Sequence, residues 1–434
     1  MRLSPLGYYD GILQSVRLPR MAAVTVEYDG RCVQDVAGTV RREMLACRGI
    51  EAVRGKRVAL AVGSRGLANL PVLAGTAVRV LQEQGADVFI VPAMGSHGGA
   101  TDEGQRLLLE HLGVSEKTMG VPVLSKVEPA VIGRTEEGAP VYFDANAAGA
   151  DYTVTVARVK PHTAFHGTYE SGMVKMNVIG LGKQKGADYC HERGMENMAE
   201  NLRRIGKISI ERSNLLLSLC VVENAYDETY LIRAIPRDQI LQEEPALLKT
   251  ARALMPAIPF RDLDMLVVDE IGKNITGAGM DPNIIQRFAS PHMKAEPFTK
   301  QLVVLDLTDE SDGNVNGAGF ADVSTRRLYD KIEMEKAYTN ALTARVSVPA
   351  KLPIIMDNDL TAMKAGLKLA ADVDMDRPRI VRIRNTLSLG RMEISEALLA
   401  EAEGMDRVHV ASQPAYYRFD ENGDLPKGGF LYGQ

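Results

Sequence analysis

Three of the chain's seven histidines fall within thirty residues, at His162, His166 and His191, and a fourth, His97, follows a separate apolar run. An imidazole exchanges protons near neutral pH and binds zinc, copper or nickel through a neutral ring nitrogen. A lone histidine is usually a hydrogen-bonded structural residue, but several on loops of one sheet point to a site. His111, His292 and His409 lie outside the grouping and read as structural. Within the cluster sits Lys175, in ESGMVKMNVIGLGKQKGA, where glycines at 172, 180, 182 and 186 let backbone approach a ligand closely. Small residues and lysines there suit a phosphate or a carboxylate. Neither GxxxxGK[ST] nor GxGxxG is present, so the segment is not a P-loop or a dinucleotide fingerprint. The absence of HExxH and of paired cysteines argues against a standard zinc site. Arg65 follows another apolar run, where its planar fork could hold a carboxylate by two hydrogen bonds.

The elements that must position these residues follow a regular pattern. KRVALAVG (56–63) is a buried strand by its β-branched apolar run, and LPVLAGTAVRVLQEQGA is a helix closing at Gly85. DVFIVPAMG is the next strand. The loop SHGGA leads to the helix TDEGQRLLLEHLG, with Thr101 placed to cap it. DYTVTVARV (151–159) is a strand ending at KPHTAFHG. Strand, helix, strand repeats predict a mostly parallel sheet, and such sheets bind ligands at the carboxyl ends of their strands. Three strand ends carry capable side chains: Ser64-Arg65-Gly66, Ser96-His97-Gly98 and Pro161-His162.

A second series starts near residue 263 with DLDMLVVDEIG, then QLVVLDLTDES, LPIIMDND and PRIVRIRNT, with helices between them. The expected fold is therefore α/β, with two domains of mostly parallel sheet flanked by helices and an active site in the cleft between them. Residues 1–262 would form the first domain and 263–395 the second. The tail 396–434, a helix and a hairpin-like end, would pack back on the first.

Composition removes other classes. The 434 residues are too many for one ordinary core. With 45% apolar and 25% charged residues and a net charge of −5, no broad basic field exists for nucleic acid or an anionic membrane. No apolar stretch is long enough to span a bilayer, and MRLSPLGYYDG has no apolar run of a signal peptide. The four cysteines lack disulfide density, which suits reduced thiols in the cytoplasm, and Cys190 beside His191 reads as packing.

The segments GSRG, PAMGSHGGATDEGQ and KPHTAFHGTYESGMVKMNVIGLGKQKGADYCH together resemble the active-site motifs of the nickel-dependent lactate racemase family. The resemblance implies a nickel pincer nucleotide, a pyridinium mononucleotide with two thioacid arms, attached covalently through Lys175. Ser171 and Gly172 match the stretch that precedes the family's lysine. Sixteen residues after Lys175, His191 takes the position of the nickel ligand. His97 and His162 match the two acid–base histidines, and Arg65 the arginine that holds the substrate carboxylate. The family's spacing puts its second histidine ten residues before the lysine, whereas His162 is thirteen before and His166 nine before. His162 keeps the Pro-His context. In the second domain, Gln286 matches a substrate-binding glutamine, but Ala289 stands where the family has lysine, leaving Lys273, Arg287 or Lys294 to supply a cation.

The implied activity is a racemase or epimerase that inverts C2 of a 2-hydroxy acid by proton-coupled hydride transfer. The lost lysine, the small residues Ser64, Gly66, Gly98 and Gly99, and the added polar groups Tyr169 and Glu170 suggest an acid larger or more polar than lactate. Cofactor-synthesis proteins are the implied partners, and homo-oligomerisation is left open. Two other classes remain: a nickel-nucleotide carrier without turnover, and a metal hydrolase built on His162, His166 and His191 with Glu170.

Overall fold

The computed structural model describes residues 3–426 apart from 65, 193, 291–292 and 294–297. The chain divides into two compact units, Asp29–Met255 and a second formed by Met1–Tyr28 with Pro256–Gln434.

In the Asp29–Met255 unit, five strands lie in the order Asp87–Pro92, Arg57–Val62, Tyr152–Arg158, Leu215–Glu223 and Thr229–Pro236. The first four are parallel and the last is antiparallel. Alternation along the central strands divides their side chains between two layers. Val58, Leu60, Val62, Val154 and Val156 pack with Val40, Met44, Leu73 and Leu81 of the helices Val36–Ala46 and Leu70–Glu83. On the opposite face, Ala59, Ala61, Phe89 and Val91 meet Phe143 and Leu181. Ala157 and Val159 there join Val174, Leu202 and Leu248. Both faces are therefore covered, which is why the strands read as continuous apolar runs.

The local signals also act as expected. Gly85, at φ 89°, follows the Leu70–Glu83 helix. The Thr101 hydroxyl accepts from the Gly104 amide at 3.0 Å and starts the helix Asp102–His111. From its first strand of this sheet, Arg57–Val62, the chain goes to Asp87–Pro92 on one side and then to Tyr152–Arg158 on the other. The loops leaving the carboxyl ends of Arg57–Val62 and Tyr152–Arg158 thus flank the switch point where doubly wound sheets bind ligands.

The other unit holds an eight-stranded sheet in the order Ile354–Met356, Val323–Thr325, Thr299–Leu307, Leu263–Ile271, Ile380–Ile383, Arg391–Ser395, Met21–Val26 and Val408–Val410. The first five strands are parallel and the last three antiparallel. This corrects the expected domain limits. Met21–Val26, expected in the first domain, lies between Arg391–Ser395 and Val408–Val410, so the amino-terminal segment and the tail both belong to the second unit. The boundary falls at 255/256 because Ile258 and Phe260 are buried in the core of this unit, with Leu266 and Val304. Among the described residues no helix is long and apolar enough to cross a membrane.

Candidate active site

The loop carrying His97 is fixed from below by buried polar groups. Gln105 donates its amide to the carbonyl oxygens of Gly95 at 2.9 Å and His97 at 3.2 Å. Its own side-chain oxygen accepts from the Lys183 ammonium at 3.2 Å, and that ammonium also donates to the Pro92 carbonyl at 2.6 Å. Asp144 completes the set 2.7 Å from the same nitrogen, an ionic contact lying off the hydrogen-bond direction, with both side chains fully buried. One lysine therefore ties the end of the Asp87–Pro92 strand to the start of the helix Lys183–Glu192, whose last turn carries His191. The sequence had suggested that the lysines of this segment would meet a ligand anion, but Lys183 holds an internal one.

Removing one partner of a buried pair leaves the other charge uncompensated. Lys183→Met is expected to destabilise the fold by about 3–5 kcal/mol, read from urea denaturation. Adding Asp144→Leu should restore most of that loss. A single-variant loss below about 1 kcal/mol, the size of an exposed pair, would mean that Lys183 does not anchor this loop.

Above this anchor, the π-helical turn Met176–Gly180 packs against two strand ends. The Gly95 amide donates to the Gly180 carbonyl at 3.2 Å, and a methyl at Gly180 would lie 2.8 Å from the Ala93 carbonyl. Such π turns often occur at functional sites. The Ser64 hydroxyl reaches from the adjacent strand end to His97 Nδ1 at 2.5 Å.

The loop 161–171 is organised by Glu170, which is fully buried. Its carboxylate accepts from the His162 amide at 2.7 Å, the Gly167 amide at 3.0 Å and His166 Nδ1 at 3.2 Å, and pairs with Arg252. Burial alone would raise this carboxyl, but the hydrogen bonds from His166, His162 and Gly167 outweigh it and hold it below the ordinary carboxylate value. Tyr169 is also buried, and its hydroxyl donates to the Leu241 carbonyl at 2.9 Å. These two polar groups hold the loop together rather than offering extra contacts to a substrate, which corrects that expectation.

The two histidines of the loop differ in their Nδ1 partners. His162 Nδ1 accepts from the Ala164 amide at 3.1 Å, so its neutral ring carries the proton on Nε2. The ring stacks on Phe165 at 4.3 Å between centroids. His166, with its side chain 40% exposed, has Nδ1 on the buried carboxylate.

Lys175 closes the three-residue helix Met173–Lys175, whose first turn is capped from outside. The Glu244 carboxyl accepts from the Val174 amide at 2.8 Å, and a methyl at Gly172 would stand 2.3 Å from the other Glu244 oxygen. Gly172 therefore makes room for this cap. Burial pushes Glu244 up to about 8, against the pull of the Val174 and Met173 amides. Ser171 joins Lys160 in a short bridge of two backbone hydrogen bonds, at 2.9 and 3.3 Å.

His191 Nδ1 lies 2.6 Å from the Ala187 carbonyl, which can only accept, so Nδ1 carries a proton and in the neutral ring the lone pair is on Nε2. This arrangement, a carbonyl orienting a histidine from behind, is the usual support of a metal-binding imidazole. Burial pushes the neighbouring Cys190 thiol up to about 12, against the pull of the Lys175 charge. Residue types and orientation thus fit a lysine-tethered, histidine-ligated metal cofactor. Cys190 itself is core.

Arg65 lies outside the described residues, as does Lys294. Gln286 and Lys273 belong to the other unit. There the Gln286 amide donates to the Asn283 carbonyl, and the Lys273 ammonium to the Gly277 carbonyl at 2.8 Å and the Asn340 side chain at 2.6 Å. Among the described residues, no group of three histidines, cysteines or carboxylates is placed to hold a metal by itself.

Residues 66–202 match the family model described as the lactate racemase N-terminal domain. This part of the chain is similar to the N-terminal domain of lactate racemases. That match spans the strand ends bearing His97 and His162 and the segment from Lys175 to His191. Among solved structures, the lactate racemase apoprotein from Thermoanaerobacterium thermosaccharolyticum is similar with a TM-score of 0.49 and 13% identity, over 85% of this chain and 99% of that one. No curated protein matches the sequence.

Proposed function

We propose that this lactate racemase-family chain inverts the hydroxyl-bearing carbon of a 2-hydroxy acid, with a nickel pincer nucleotide held covalently by Lys175 and through its metal by His191. The observation that supports this best is the buried link from Lys183 and Gln105. It fixes the His97 loop and the helix that carries His191 in its last turn at the carboxyl edge of one parallel sheet.

Inversion needs two groups that exchange the hydroxyl proton from different sides, and His97 and His162 take those roles. For His162 to become the base, it must release the Ala164 amide and move its proton from Nε2. Arg65 holds the carboxylate and so orients C2. Gln286 and Lys273, read from the sequence as further substrate contacts, are engaged inside the other unit with the Asn283 and Gly277 carbonyls. When bound, the cofactor supplies the hydride-accepting centre; the protein's contribution is placement and proton transfer.

The substrate is a 2-hydroxy acid larger or more polar than lactate. With Tyr169 and Glu170 committed to the loop, that choice rests on Ala289 in place of a lysine and on open space at two glycines. A methyl at Gly66 or Gly99 would meet nothing within 4 Å, whereas one at Gly98 would press on Gly104 backbone at 2.6 Å.

The test is metal analysis with intact mass on protein produced together with the cofactor-synthesis proteins. Nickel and a nucleotide adduct on the chain are expected. Zinc on unmodified protein would replace this reading with a hydrolase, and a loaded protein that turns over no acid would be a carrier.

A further inference from the structure

We infer that Ser64 is a positioning residue for His97, its hydroxyl holding the ring in one orientation and fixing the role of Nδ1. The inference rests on the proposal that His97 exchanges the substrate proton. Its basis is a clamp from two independent directions. Gln105 grips the backbone of His97 through the carbonyl oxygen at 3.2 Å, and Gln105 is itself held by the buried Lys183. Such a grip sets where the Cα stands but does not by itself set how the ring is turned about its side-chain bonds. The ring is met from the neighbouring strand end, where Ser64 Oγ lies 2.5 Å from Nδ1.

The chemistry of a hydroxyl suits this task. It accepts from Nδ1–H both when the ring is neutral and when it is an imidazolium, so the contact survives the whole proton-transfer cycle. Proton exchange is then directed to the other nitrogen, Nε2. The partner of His166 is of another kind, a buried carboxylate that is itself paired with Arg252. An anion favours the charged ring, whereas a neutral hydroxyl orients it without that bias, as a group that must both take and give a proton requires.

The experiment compares Ser64→Ala and Ser64→Thr in two measurements. One is the ring-nitrogen NMR signals of His97 in cofactor-free protein, assigned with His97→Gln. The other is kcat and KM of the loaded enzyme. Ser64→Ala should give His97 signals averaged over both tautomers. Its kcat should fall roughly ten- to a hundred-fold, the usual loss when a histidine's orienting partner is removed, with KM nearly unchanged. Ser64→Thr, which keeps the hydroxyl, should restore both. Unchanged His97 signals and unchanged kcat in Ser64→Ala would overturn the inference while leaving the proton-transfer reading intact. Full activity of His97→Gln would instead overturn both, because there would be no working histidine to position.

Discussion

Lys175→Ala protein, made alongside the cofactor-synthesis proteins, is expected to show the mass of the bare chain, with the covalent nucleotide absent altogether. Attachment needs an amine nucleophile, and in the proposed reading Lys175 supplies it from the end of a short helix that the structure holds in three ways. Glu244 caps its first turn, the Gly180 carbonyl that ends the following turn accepts from the Gly95 amide, and Ser171 bridges to Lys160 just before it. Lys175→Arg is the informative companion. It keeps a positive charge near Cys190 but offers a guanidinium that is not nucleophilic at neutral pH, so it too should remain unmodified. The unfolding midpoints of both variants should stay close to that of the unloaded parent. Retention of the adduct by Lys175→Ala would show that a different residue is the attachment point.

Loss of either acid–base histidine should have a comparably large effect on turnover. His97→Ala and His162→Ala are each expected to lower kcat by about 10²–10⁴-fold, the usual contribution of a positioned proton-transfer group. The loss should appear in both directions of the reaction, since in the proposed mechanism each histidine serves as base for one enantiomer and as acid for the other. His166→Ala should lose only a few-fold. The structure makes this comparison decisive, because His166 is oriented by a buried carboxylate as a base commonly is, whereas His162 gives its Nδ1 to Ala164. Should His166→Ala show the large loss and His162→Ala the small one, the second acid–base role passes to His166.

Much of the framework could be read from residue order. Buried apolar runs located three of the four parallel strands of the Asp29–Met255 unit, leaving Leu215–Glu223 unassigned, and Thr101 and Gly85 marked a helix start and a helix end as their chemistry dictates. The strand Met21–Val26 could not be placed that way, because its partners come from the last fifty residues and antiparallel pairing leaves no local signature. The groups that hold the site were hidden for a similar reason. Lys183 looks like any lysine in a glycine-rich segment, and only the fold brings Asp144 and Gln105 to it. Ser64 was legible as part of a strand-end loop, but its contact with His97 depends on two strands lying side by side. Glu170 looked like a polar group for a substrate because the sequence does not show that two amides, a histidine and an arginine already converge on it. Glu244 gave no signal at all, since it caps a helix seventy residues away.

The most direct test of the central claim is chiral analysis of a panel of 2-hydroxy acids, from lactate to polyhydroxylated sugar acids, incubated with the nickel-loaded protein. The account predicts inversion at C2 of at least one acid, with a more polar member turned over in preference to lactate by roughly 10⁴-fold where its extra hydroxyls are bound in a buried site. Inversion should vanish in the unloaded protein. Lactate preferred over every larger acid would contradict the substrate assignment. Failure to invert any acid, by protein shown to carry both nickel and the nucleotide, would contradict the assignment of racemase or epimerase activity itself.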